Sequence, residues 1–120
     1  MTGGHPPLER TRQRMQELKE SEFEEKTSGG VVLVDFTAEW CGPCRTLSPI
    51  LQRVSAQYDG RLHVFSVDID EWPSLAARHG VMSVPTVLLF REGQQVDRMV
   101  GVLSEGELKK RIEVHLGAGG

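Results

Sequence analysis

Apolar positions along the chain change their spacing several times, and each change marks an element. Residues 31–37 read VVLVDFT, an apolar run broken by Asp35, and the pattern predicts a strand buried on both faces. Over 43–58 the spacing turns helical, with Leu47, Ile50, Leu51 and Val54 on one side. Pro49 lies inside that run and should bend it, and Asp59-Gly60 closes it. RLHVFSVD, 61–68, alternates as a strand does. Asp70 is placed to cap a helix over 71–79, with Pro73 in its first turn and Gly80 just past its end. VPTVLLFR, 84–91, predicts a strand; Glu92-Gly93 is a tight turn, and Gln94–Val100 pairs back as a hairpin. Ser104 with Glu107 opens a last helix, Glu105–Leu116.

Towards the N-terminus, 14–20 predicts a short edge strand. Ser21 with Glu24 reads as a capping box for a short helix ended by Gly29-Gly30. Residues 1–13 hold Gly3-Gly4 and Pro6-Pro7 without a periodic apolar face, so they are expected to be a disordered tail. The folded domain is then 14–117, with a frayed GAGG end. A helix joins strands 31–37 and 61–67, so the two should be parallel, whereas the hairpin makes the sheet mixed. The expected class is α/β: a central mixed sheet of four to five strands, flanked by helices on both faces.

Composition narrows the partners. The 120 residues carry a net charge of −3, 38% hydrophobic and 26% charged residues, and suit one soluble domain. There is no dense basic block, which argues against nucleic-acid or anionic-membrane partners. No apolar stretch is long enough to cross a bilayer. The opening MTGGHPPLERTRQR lacks the apolar segment of a secretory signal, so a cytoplasmic protein is expected.

The chain has two cysteines, and both sit in Trp40-Cys41-Gly42-Pro43-Cys44. A bridge over so short a loop removes little unfolded-chain entropy, so the pair is there for chemistry more than for stability. The strand over 31–37 ends just before it, and the next helix begins within it. Cys41 should therefore meet unpaired backbone N–H groups and the positive end of the helix dipole, which favour thiolate over thiol. That thiolate is the nucleophile of disulfide exchange. Cys44, one turn further in and more covered, is placed to resolve a mixed disulfide. Gly42 allows the tight turn, and Pro43 pre-sets a helical φ. Trp40 offers an apolar wall beside the sulfurs. The alternative is a pair of zinc ligands, but a structural site wants four, and the histidines at 5, 63, 79 and 115 lack the matching spacing.

WCGPC after a V-D-F strand, followed by SVPT and a late V-G-x-L-S stretch, resembles the thioredoxin family from about Met15 to Leu116. That family is itself a standard illustration of a C-x-x-C pair with a lowered cysteine pKa, so the two expectations are not independent. The resemblance implies the thioredoxin fold and reduction of disulfides in substrate proteins. It also implies an NADPH-dependent thioredoxin reductase as the partner that restores the dithiol. No nucleotide loop is visible, so no cofactor is expected on the chain itself, and a monomer is the simplest state. Asp35, desolvated in its strand, should have a raised pKa. By resemblance it assists deprotonation of Cys44, so the expected catalytic residues are Cys41, Cys44 and Asp35. Ser83, Val84 and Pro85, with a cis bond before the proline, are implied to bind an extended substrate segment alongside Trp40, Gly42 and Pro43. Gly101 should let another backbone come close.

Two positions depart from the family pattern. Ser66 stands where relatives often place a lysine near the buried acid, so the Asp35 pKa should rise further. Thr37 stands where many have a tryptophan, which removes an aromatic beside the site. Two other readings stay open: a binding module that uses the surface around Trp40 and Pro85, and a redox sensor for one partner.

Overall fold

The computed structural model describes residues 15–116. The expected tail over 1–13, both ends of the expected 14–117 domain and the glycine-rich end lie outside the described residues. The elements run β1 (Gln16–Glu17), α1 (Phe23–Thr27), β2 (Val31–Thr37), α2 (Gly42–Gln57), β3 (Leu62–Asp68), α3 (Pro73–Arg78), β4 (Thr86–Arg91), β5 (Gln94–Val100) and α4 (Glu105–Leu116). A 3-10 turn, Glu20–Glu22, leads into α1.

One five-stranded sheet has the order β1-β3-β2-β4-β5. β1, β3 and β2 are parallel, and β4 and β5 continue the sheet antiparallel. β2 is central and hydrogen-bonded along both edges. Side chains alternate along it, so its two faces feed two cores. Val31 and Leu33 pack with Leu47, Leu51 and Val54 of α2 and with Leu108 and Ile112 of α4. Val32, Val34 and Phe36 pack with Phe23 of α1 and with Leu75 and Ala76 of α3. A strand covered on both faces has no polar alternation to show, which explains the unbroken apolar run. By the same alternation Asp35 falls on the Val31–Leu33 side, the side that α2 covers.

α4 opens as its sequence predicts: Ser104 Oγ accepts the Glu107 N–H, and Glu107 Oε1 accepts the Ser104 N–H, each at 3.1 Å. The start of the domain differs from expectation. Only Gln16–Glu17 pairs as a strand, and the Leu18 N–H still bonds the Ser66 carbonyl at 2.8 Å. Buried Leu18 anchors the chain there, so the turn comes early. Glu22, and not Glu24, reaches back to the N–H of Lys19 at 2.9 Å, and Ser21 lies inside the 3-10 turn.

The helix expected over 71–79 is also shorter. It begins at Pro73, because a residue preceding proline is driven out of the helical region, and Trp72 sits at φ −127°, ψ 62°. Asp70 does not cap it. The strand expected from Val84 begins at Thr86, after the cis Val84–Pro85 bond. Pro49 occupies an exposed position within α2, where it leaves the Arg45 carbonyl without its helical donor.

Candidate active site

Residues 38–41 carry the chain from the end of β2 onto the start of α2. A turn forms as the Cys41 N–H bonds the Ala38 carbonyl at 3.2 Å. Cys41 is the N-cap of α2, with extended backbone, and Pro43 lies in the first turn. An N-cap side chain ordinarily uses oxygen to accept an orphan helix N–H. Here the acceptor is sulfur: the Cys44 N–H donates to Cys41 Sγ at 3.2 Å. The two cysteines are disulfide-bonded, with Cα atoms 5.3 Å apart. Gly42 and Pro43 are exposed above them.

Cys44 is barely more covered than Cys41; the two are 3% and 4% exposed. Ala38 completes their cluster, and Ile69 and Val84 pack against it from two other loops. Trp40 does not close over the sulfurs by burial, being 65% exposed. Its indole N–H is held by Asp70 Oδ2 at 2.7 Å. The Asp70 carboxylate is thus engaged at the active-site loop, two residues before the Trp72 cap position of α3.

Asp35 lies in the sheet beside Ser66 of β3 and Val87 of β4. It is 1% exposed, and among the described residues its Oδ1 has no hydrogen-bond partner. Burial pushes its pKa up from 3.8 to about 7. Ser66 brings a hydroxyl and no charge, so nothing offsets the desolvation. The rise expected from burial is present.

The loop before β4 supplies the opposite wall. Val84–Pro85 is cis, and Val84 packs against the cysteine cluster. Thr86 is buried and its hydroxyl donates to the Ser83 carbonyl at 2.7 Å, which pins the exposed Ser83. Gly101 follows β5 at φ +89°, a backbone form that favours glycine, and its N–H bonds the Pro85 carbonyl at 2.9 Å. Among the described residues, its two chain neighbours aside, no atom lies within 4 Å of where a Gly101 side chain would begin.

Sequence reasoning passed over three features. Asp70 looked like a helix cap and is the partner of Trp40. Thr86 looked like an ordinary strand residue and fixes Ser83. Met82, beside Ser83 in the chain, is an apolar side chain left 92% exposed; its only signal was an apolar residue in an otherwise loop-like stretch.

A mixed sheet of this order, with a bonded cysteine couple at the leading end of α2, defines a protein-disulfide oxidoreductase that works by thiol–disulfide exchange. The thioredoxin family model matches residues 14–114. Curated thioredoxins of Staphylococcus aureus strains Mu50 and COL are each 41% identical over 99 residues, spanning 82% of this chain and 95% of theirs. The structure of a mutant thioredoxin from Halobacterium salinarum NRC-1 matches with a TM-score of 0.78 at 35% identity, covering 87% of this chain and 92% of that one. The chain belongs to the thioredoxin family and has the thioredoxin fold.

Proposed function

We propose that the chain reduces disulfides in substrate proteins, with Cys41 as attacking thiolate, Cys44 as resolving thiol and Asp35 as the group that takes the Cys44 proton. The observation that carries the division of labour is the Cys44 N–H aimed at Cys41 Sγ. A donor to that sulfur stabilises its negative form.

In the reduced protein Cys41 thiolate attacks one sulfur of a substrate disulfide. The substrate S–S bond breaks, one substrate sulfur leaves with the electron pair, and a mixed disulfide forms at Cys41. Asp35, with a pKa near neutrality, accepts the proton of Cys44. The resulting Cys44 thiolate attacks Cys41 Sγ, expels the second substrate sulfur and closes the bond seen here. Trp40, Met82 and Val100 provide the apolar rim for the partner, with Gly42 and Pro43 at its edge. Ser83, Val84 and Pro85 offer backbone groups to an incoming strand, and Gly101 leaves it room. An NADPH-dependent thioredoxin reductase restores the dithiol, the chain acts as a cytoplasmic monomer, and it carries no cofactor of its own.

Insulin reduction coupled to NADPH and thioredoxin reductase tests this reading. Wild type should turn over, and Cys41→Ser should not. Turnover by Cys41→Ser at the wild-type rate would refute the assignment.

A further inference from the structure

A cleft of about 290 Å³ opens between β1, β2, α2 and β3. Glu17 and Glu39 stand at exposed positions in its wall, and the buried Asp35 lies in the same wall. Among the described residues Asp35 Oδ1 is the one buried side-chain nitrogen or oxygen without a hydrogen-bond partner. A buried acceptor left unpaired is costly, and native structures keep few of them without a use.

The chain itself brings no cation to that oxygen. The larger cleft next door, walled by Cys44 and Asp68, has Arg45, but no lysine, arginine or histidine lines this one. Among the described residues Glu17 and Glu39 have no ion-pair partner either. The three carboxylates do not converge on a point: no group of three acids, histidines or cysteines among the described residues could hold a metal ion. A ligand must therefore spread its donors along a chain, one for the buried acid and one for the mouth. An ammonium supplies three donors and no acceptor, and a concave wall of negative charge draws it in.

We propose that short aliphatic diammonium ions bind in this cleft, one ammonium donating to Asp35 Oδ1 and the other pairing with the carboxylates of Glu17 and Glu39. Met15 offers its side chain to the methylenes between them. The volume suits so small a ligand, since drug-sized molecules take about 300–1,000 Å³. The bound ion and the proton compete for one carboxylate. Burial holds the Asp35 pKa at about 7, and an ammonium at Oδ1 favours the ionised form and lowers it again. Around Asp35, Ser66 on β3, Val87 on β4, and Ser48 and Gln52 on α2 are uncharged; Glu17 and Glu39 are the titratable groups. The consequence for turnover rests on the reading above, in which Asp35 accepts the Cys44 proton: the bound ion keeps that acceptor ionised at lower pH.

The test titrates the oxidised wild-type protein, whose cysteines do not ionise, with 1,4-diaminobutane, butylamine and 1,4-butanediol at constant ionic strength. Carbon-13 NMR of the Asp35 carboxyl reads its pKa, and calorimetry reads the affinity. Diaminobutane should lower the pKa to a plateau, and butanediol should leave it where it is. Diaminobutane should bind about two- to fivefold tighter than butylamine, the worth of an exposed ion pair, and lose that advantage in Glu17→Gln with Glu39→Gln. Below about pH 7 the affinity should weaken towards about tenfold per pH unit, because only the ionised fraction binds, and the glutamine variant should keep that slope. Asp35→Asn should abolish saturable binding. An unmoved Asp35 pKa, an equal effect of butanediol, equal affinity for the two amines, a flat pH dependence or undiminished binding by Asp35→Asn each overturns the site. Insulin reduction keeps the two levels apart. The diamine should move the pH profile of turnover down with the Asp35 pKa; a lowered pKa with an unmoved profile keeps the site and removes Asp35 as proton acceptor.

Discussion

Replacing Asp35 by Asn tests the site through stability alone. The carboxyl titrates near 7 in the folded oxidised protein and near 3.8 when unfolded, and burial is the cause. A folded pKa raised above the unfolded one means that the native state keeps a proton the unfolded chain has already lost. The native state is then penalised as pH rises: the cost is absent below pH 3.8, grows through the interval up to about 7, and stays constant above it. At about 1.4 kcal/mol for each tenfold change, the full rise amounts to about 4 kcal/mol, a large share of a domain's stability. Asn has nearly the same shape and does not titrate. Its amide is buried too, so the two proteins will differ by some constant offset, but the dependence on pH belongs to Asp35. Denaturant unfolding of both oxidised proteins, from below pH 4 to about pH 8, gives the two stability curves. The variant should gain on wild type by about 4 kcal/mol across that range. Parallel curves would show that Asp35 is solvated or partnered in solution, and the proton-acceptor role would fall with its burial.

Cys44→Ser should accumulate covalent complexes with substrate proteins on non-reducing gels, whereas Cys41→Ser should not; equal trapping would reverse or erase the roles. Leu51, fully buried between the sheet and α2, should cost about 2–5 kcal/mol when cut to Ala, read as a lower denaturation midpoint with unchanged slope. Asp97 grips Arg111 through two hydrogen bonds, Nε to Oδ2 at 2.8 Å and Nη2 to Oδ1 at 2.5 Å. The pair is partly exposed, so Asp97→Asn should cost no more than about 1 kcal/mol at neutral pH. Arg111 holds the Asp97 pKa below its ordinary value, so this contribution is present above the unfolded pKa and fades as pH falls through the folded one. A double-mutant cycle with Arg111→Ala checks the size.

The chain's sequence makes its long elements and its chemistry legible for the same reason: both depend on short-range order. Leu47, Leu51 and Val54 reveal α2 by spacing, and Asp35 stands out because an acid has no ordinary place in a doubly covered strand. Cys41 could be set at the head of a helix because the strand before it and the proline after it are neighbours in sequence. What escaped was decided at long range. Asp70 looks like a helix cap, yet Pro73 moves the helix start past it and an indole thirty residues away in the chain claims its carboxylate. The near-equal covering of Cys41 and Cys44 is set by Ile69 and Val84, which no local pattern brings near. The cleft walled by Glu17, Thr37, Cys44, Ser66 and Asp68 needs β1, β2, α2 and β3 together, so no single stretch announces it.

The central place of β2 determines how the molecule wears out. The strand that leads to the sulfurs is hydrogen-bonded to neighbours on either edge along nearly its whole length. Amides in such a position open only when the entire domain does. Fraying at the sheet margins therefore leaves the reactive couple in register, and heat should silence this protein in a single step, with its fold, and not by gradual loosening of its working end.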